Sequence, residues 1–240
     1  MKRLVLAAFL CALCVGAVAV SAQAATSETD PCWQKGGNTS ADGKCVLTID
    51  AQVSVDYPLD LTQKYDIIGQ TIDPVIAKAK DDFFSAVSGD FIPVPGPFVL
   101  QITYDTAQHS DTVMTLILTI YQFQGGAHGS TALLPFNFDL KNNKVLTLDD
   151  IFTSTPDAIK LIEPIVQSTV KTALGDMNVQ DMLDAGTGTD PNNYQYFSLD
   201  ADSITFYFQQ YQVAPYAAGI QKVTIPFSQL TSVLKPGIAS

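Results

Sequence analysis

Three strand-like stretches, residues 98–106, 112–124 and 131–140, follow one another with almost nothing between them, and they constrain this chain more than any other feature. Each is rich in Val, Ile, Leu, Phe, Tyr and Thr, residues that suit a pleated, half-buried surface. Gly125-Gly126-Ala127-His128-Gly129 separates the second from the third, and so clustered a run of glycine reads as the turn between antiparallel strands.

Helical spacing flanks this block. Ile72, Val75, Ile76, Ala79, Phe83 and Val87 recur on one face, which predicts a helix with Asp73 as N-cap, Pro74 at its first position and Gly89 as its stop. Pro93, Pro95, Gly96 and Pro97 form a rigid connector into the strands. Beyond them, residues 139–144 read as a turn and 148–152 as a short helical turn. A second long helix is expected from Thr155-Pro156-Asp157 to about Leu174, with Pro164 kinking or dividing it. A loop-rich segment with one short helix covers 175–193. Strands are expected at 194–199, 203–208 and 221–225, with a Tyr-rich loop at 209–219 and a helical turn at 227–234. Ahead of the first helix, Val46, Thr48, Val53 and Val55 alternate until Tyr57-Pro58. Strands run together with helices inserted between them, so the expected class is α+β: one domain over residues 46–240, with a largely antiparallel or mixed sheet packed by two main helices.

The N-terminus carries an export signal. Lys2 and Arg3 precede an apolar run over residues 4–20 that ends in Ser21-Ala22-Gln23-Ala24, so residues 1–24 read as a signal peptide removed after Ala24. A membrane anchor is the competing reading, but the run is short for a span. Leu10 and Leu13, where a lipobox needs a small residue, disfavour lipidation at Cys11 or Cys14. With those two cysteines gone, Cys32 and Cys45 are left in an oxidising compartment and are expected to pair, closing a loop worth on the order of 3 kcal/mol. Residues 25–45 would then be a polar, flexible arm tied down by that bridge.

Loss of Lys2 and Arg3 from 13 basic residues, set against 24 acidic ones, leaves a charge near −13 and no arginine. Nucleic acid and anionic lipid are therefore poor partners, and a basic protein is a better one; the plainer reading is that acidity keeps a secreted protein soluble.

His109 and His128 are the only histidines, and their spacing fits no zinc-hydrolase motif. No G-x-S-x-G elbow occurs, and Gly129-Ser130 beside His128 reads as hairpin chemistry. Of the acids only Glu28 and Glu163 are glutamates. Asp149-Asp150, or Asp200 with Asp202, could meet a cation, yet neither pair fits a calcium loop, and solvated turn acids explain them better. Neither a phosphate-cradling loop nor a dinucleotide fingerprint is present. No catalytic residue, metal or cofactor is assigned.

Surface character remains. Tyr194, Tyr196, Tyr207, Tyr211 and Tyr216 crowd the C-terminal third among Phe197, Phe206, Phe208, Gln209, Gln210 and Gln212. Strand alternation turns about half of the aromatic residues inward, but the loop from Tyr211 to Tyr216 suits contact with a protein or glycan. Tyr211, Gln212, Tyr216 and His128 are the candidate binding residues.

Several ordered segments carry a resemblance: Tyr121-Gln122-Phe123-Gln124-Gly125-Gly126-Ala127-His128-Gly129, then Phe136-Asn137-Phe138-Asp139-Leu140, then Leu148-Asp149-Asp150-Ile151-Phe152. Together they resemble the RsiV-like extracytoplasmic domain family, long held to be of unknown function. The paired cysteines, residues 190–197, Ile204 to Phe208 and residues 214–226 are similar to the mycobacterial secreted immunogenic antigens of that family. The resemblance implies one α+β domain, secretion and no established catalytic centre. It also implies work at the cell envelope or against host proteins, because relatives include the outer domain of a lysozyme-sensing anti-sigma factor and a module attached to peptidoglycan deacetylases. The chain lacks the transmembrane and sigma-binding parts of the first and the deacetylase domain of the second. The resulting expectation is a secreted, monomeric, non-enzymatic protein that binds a host or envelope protein, with basic lysozyme the first partner to test. The alternative is a cell-wall or carbohydrate-active hydrolase using Asp residues.

Overall fold

The computed structural model describes residues 37–39, 41–47, 51–88 and 97–239. The signal peptide and Cys32 lie outside the described residues, and with them the expected Cys32–Cys45 bridge. In chain order, β1 (Gly37–Thr39) pairs antiparallel with β2 (Cys45–Leu47). There follow β3 (Ala51–Val55), α1 (Leu59–Lys64), α2 (Asp66–Ser88), β4 (Phe98–Gln108), β5 (Val113–Phe123), β6 (Ser130–Asp139) and β7 (Lys144–Leu146). The C-terminal part adds α3 (Leu148–Ile151), α4 (Thr155–Leu174), α5 (Gln180–Thr187), β8 (Phe197–Leu199), β9 (Ser203–Phe208) and β10 (Gln221–Pro226).

Strands β3 to β7 form one sheet in sequence order, with β3 parallel to β4 through the α1–α2 crossover and every other pair antiparallel. Alternation along its long strands buries Leu100, Ile102, Met114, Leu116, Leu118 and Phe138 on one face, where the α2 stripe of Ile68, Ile72, Ile76, Phe83 and Val87 completes a core. A second sheet, ordered β10-β9-β8, packs against α4, whose Ile159, Ile162, Val166 and Val170 meet Ile204, Phe206, Phe208 and Ile225. The molecule is thus mixed α+β with α2 and α4 as its main helices.

The two halves join at a buried polar seam. Asn137 on β6 accepts a hydrogen bond from the Thr115 hydroxyl at 2.6 Å and donates to the Phe197 carbonyl at 2.8 Å. The Leu199 N–H donates to Thr115 Oγ1 at 3.0 Å. The seam thereby aligns β8 across β5 and β6, and each buried polar group has a partner.

Four expectations need correction. Helix α2 begins at Asp66, so Pro74 lies inside it and Asp73, instead of capping, accepts the Tyr57 hydroxyl at 2.6 Å. Likewise α4 runs unbroken through Pro164. Both prolines sit on exposed faces, where the carbonyls of Gln70 and Lys160, deprived of an N–H partner, can turn to water. Ile68, one turn before Ile72, is the residue that signals the earlier start. A third correction concerns β9: all six of its residues are buried, because the central strand of this sheet is covered on both sides. Strand β8 is also shorter than expected, since residues 191–194 form a 3-10 turn ahead of it.

Candidate functional site

Three of the four candidate residues meet. The reversal between β5 and β6, with Gly125 and Gly126 at φ 89° and 97°, carries His128 to the base of the loop between β9 and β10. There the His128 ring stacks on Tyr216, centroids 3.6 Å apart and planes 17° apart, and Tyr211 lies 5.8 Å from Tyr216 at a tilt. The Gly129 carbonyl ties both segments together, accepting the Tyr216 hydroxyl at 2.6 Å and His128 Nδ1–H at 3.0 Å. A Cβ on Gly129 would stand 2.5 Å from the Tyr121 hydroxyl, so any larger residue here requires the Tyr121 ring to move. Tyr211 is 58 % exposed and holds φ at +67°, a left-handed conformation that a bulky side chain rarely adopts.

Gln212 is placed differently. Its Nε2 donates to the carbonyls of Gly186 and Asn193 at 3.1 and 3.0 Å, and its Oε1 accepts the Gln209 N–H at 2.9 Å. It braces the loop from within, leaving the outer surface to Tyr211 and Tyr216.

The outer edge of β6 was not foreseen. Strand β7 covers only its C-terminal end, Asn137 to Asp139. Further along, the Gln209 side-chain amide takes the place of a neighbouring strand, donating to the Leu133 carbonyl at 2.7 Å and accepting the Leu133 N–H at 3.1 Å. Gln210 accepts the Thr131 N–H at 3.0 Å, and Pro135 has no N–H to satisfy. One loop thus closes alternate positions 129, 131 and 133 of an edge strand, the kind of cover such edges require. The spacing of two between Leu133 and Thr131 gives no hint of this in sequence, since the partners are side chains some 76 residues away.

Two cavities follow this edge. A smaller one, about 270 Å³, is lined by Ser130, Thr131, Ala132 and Leu134 together with His128, Tyr211 and Tyr216; a larger one, about 400 Å³, is lined by Pro135, Phe136, Asn137, Leu146 and Asp149. Tyr196 lines both. Sequence alternation groups Tyr196 with Tyr194, but the turn before β8 separates them. Tyr194 is buried, with its hydroxyl on the Thr187 carbonyl and its ionisation pushed up by burial and then by Glu163, whereas Tyr196 faces the cavities.

The remaining candidates for chemistry are engaged locally. Burial works against charge on Asp150, but hydrogen bonds from Lys144 and from the Thr147 N–H and hydroxyl outweigh it and hold the carboxyl below the usual range. Asp149 accepts the Thr155 hydroxyl. Asp200 and Asp202 use their backbones to close the turn around β9. Buried His109 donates from Nδ1 to the Asp200 carbonyl at 2.7 Å and packs edge-on against Phe227. Among the described residues, neither histidine is bonded to a hydroxyl or carboxylate side chain, and no three His, Cys, Asp or Glu side chains form a metal-binding group. No helix among them is long and apolar enough to cross a membrane.

The family described as Protein of unknown function (DUF3298) matches residues 149–228, which run from α3 through the loop between β9 and β10 to just past β10. Immunogenic protein MPT64 of Mycobacterium tuberculosis is 30% identical over 168 residues, covering 69% of this chain and 72% of that protein. The chain belongs to the MPT64 family. Another similar protein, esterase Rv3036c of the same organism, is 28% identical over 178 residues, 72% of this chain and 77% of that protein. A crystal structure of a DUF3298 member from Bacteroides fragilis shares the fold, with a TM-score of 0.50 at 24% identity over 75% of this chain and 70% of that one. The family model thus covers the helix and sheet of the three-stranded half and leaves β3 to β6 outside its bounds.

Proposed function

We propose that this MPT64-family protein is secreted and acts without catalysis, binding a host or cell-envelope protein through the platform of Tyr211, Tyr216 and His128. The observation that carries this reading is Tyr211, held in a left-handed conformation with its ring mostly exposed. Strain of this kind persists where the surroundings enforce it and is a pointer to function. Aromatic faces fixed by stacking offer contact area with little entropy left to lose. The excess of acidic residues, exposed on α2 and α5, favours a basic partner. Titration calorimetry of the chain without residues 1–24 against lysozyme at low salt should give heat that Tyr211→Ala reduces at least tenfold in affinity. No heat under those conditions would remove lysozyme as the partner.

The esterase relative favours a second reading, hydrolysis. Turnover of short-chain p-nitrophenyl esters that disappears in His128→Ala would install that reading in place of the first; the expected result is no turnover above the buffer rate.

A further inference from the structure

We infer that the larger cavity beside β6 is a binding site for a neutral carbohydrate chain, with Tyr196 as its stacking face and Gln195 as its main hydrogen-bonding group. The site goes beyond the protein-binding platform and does not depend on it.

Size and construction come first. A space of about 400 Å³ lies in the range of ligand sites, and its walls are fixed before any ligand arrives. On one side Thr147 and Asp150 form a reciprocal cap on α3, the Lys144 ammonium bonds Asp150, and Lys235 donates to the Asp149 carbonyl. On the other, Asp190 caps the turn that carries Asn192 and Gln195.

The lining selects the chemistry. Neither this cavity nor its smaller neighbour is lined by a Lys or Arg, and Asp149 is the one carboxylate, so phosphorylated or uronic ligands would meet no counter-charge. Among the described residues, the Tyr196 hydroxyl and the Gln195 amide have no hydrogen-bond partner, although both line the cavity. Apolar surface from Pro135, Val145, Leu146 and Pro191 surrounds these polar groups. An aromatic face, free amide and hydroxyl groups and apolar walls together suit a ligand that presents C–H faces and hydroxyls in alternation, as sugar rings do.

An extended peptide is the main competitor, and the β6 edge argues against it. Peptides gain affinity at sheet edges by adding a strand, which needs free backbone groups at alternate positions. Here positions 129, 131 and 133 are taken by Tyr216, Gln210 and Gln209, and position 135 is a proline. What stays open is a cleft of side chains, whose Tyr196 also lines the smaller cavity.

Calorimetric titration of the chain without residues 1–24 with maltohexaose, cellohexaose and hexa-N-acetylchitohexaose tests the site. At least one should bind, tri-galacturonate should not, and Tyr196→Ala should weaken binding at least tenfold. Tyr196→Phe, which keeps the ring, should cost only about threefold, and Gln195→Ala a similar factor, each with an unchanged unfolding midpoint. Failure of all three oligosaccharides at millimolar concentration would overturn the proposal, as would binding indifferent to both Tyr196→Ala and Gln195→Ala. The lysozyme isotherm of Gln195→Ala, a residue that lines the larger cavity and not the smaller one, is expected to match the parent chain and keeps this test separate from that of the platform.

Discussion

The two halves of the molecule are held by different means. In the five-stranded half, ladders of ten residue pairs join β4 to β5 and β5 to β6, and one helix covers the sheet. Backbone groups satisfy one another there, and side chains need only fill a core. The three-stranded half has strands of only three to six residues, and its connections are secured by side chains: Gln209, Gln210, Gln212 and Tyr216 each bond to main-chain groups of distant segments. Short strands with long connections leave many main-chain groups to be met individually. The difference teaches where a surface can specialise. Loops fixed by side-chain amides can hold rings and strained residues in place, and the platform and both cavities lie along that boundary.

The same substitution made in each half should show the contrast most strongly. Gly186 in α5 lies so close to the platform loop that a Cβ would stand 2.1 Å from the Gln212 carbonyl oxygen and 2.8 Å from Val213 Cγ1. Backbone cannot yield cheaply, so Gly186→Ala should destabilise by about 3 kcal/mol. In α2, a Cβ on Gly69 would find Thr62 and Asp73 no nearer than 3.6 Å, and Gly69→Ala should stabilise by about 0.5–1 kcal/mol, as alanine does in a helix that has room for it. Urea unfolding of both variants checks the pair, and equal effects of one sign would break the contrast.

How much of this was legible follows the same divide. The strands of the first half could be read because β4 and β5 are long and rich in β-branched, aromatic and other apolar residues, and its helix because Ile72, Ile76, Phe83 and Val87 keep a helical period. Pro74 misplaced the helix start, since a proline best suits a first turn but here sits inside the helix on its exposed face, a position that the packed stripe of Ile68, Ile72 and Ile76 on the opposite side holds helical. In the second half, alternation fails for β9, where both faces are covered, and for Tyr194 and Tyr196, which a 3-10 turn separates. The platform was half visible: His128, Tyr211 and Tyr216 drew notice as residue types, but their meeting depends on Gly129 and on hydrogen bonds across 87 residues. Gln209, Gln210 and Gln212 read as polar surface because nothing local distinguishes an amide that faces water from one that replaces a strand.

Gln209→Ala tests that replacement directly. It removes both bonds to Leu133 and leaves a half-buried N–H and carbonyl to compete for water, a loss of about 1–2 kcal/mol. Amide exchange at Leu133 should accelerate while exchange at Leu118, inside the β5 core, follows only the global change. Unchanged protection at Leu133 would mean that the amide contributes nothing to the edge.

The smallest effect separates strain from contact at Tyr211. A residue other than glycine at φ +67° places Cβ too near the following carbonyl, at a cost of roughly 1 kcal/mol that glycine escapes. Alanine keeps the strain and loses the ring; glycine loses both. If the loop enforces this conformation, Tyr211→Gly should therefore be more stable than Tyr211→Ala by about 1 kcal/mol, even though glycine gains more freedom on unfolding. Both should bind a platform partner equally poorly, because the ring is gone in each. Alanine as stable as glycine would show that the loop relaxes once the ring is removed, making the ring itself the cause of the strained backbone, and the three-stranded half would then be less rigidly braced than its hydrogen bonds imply.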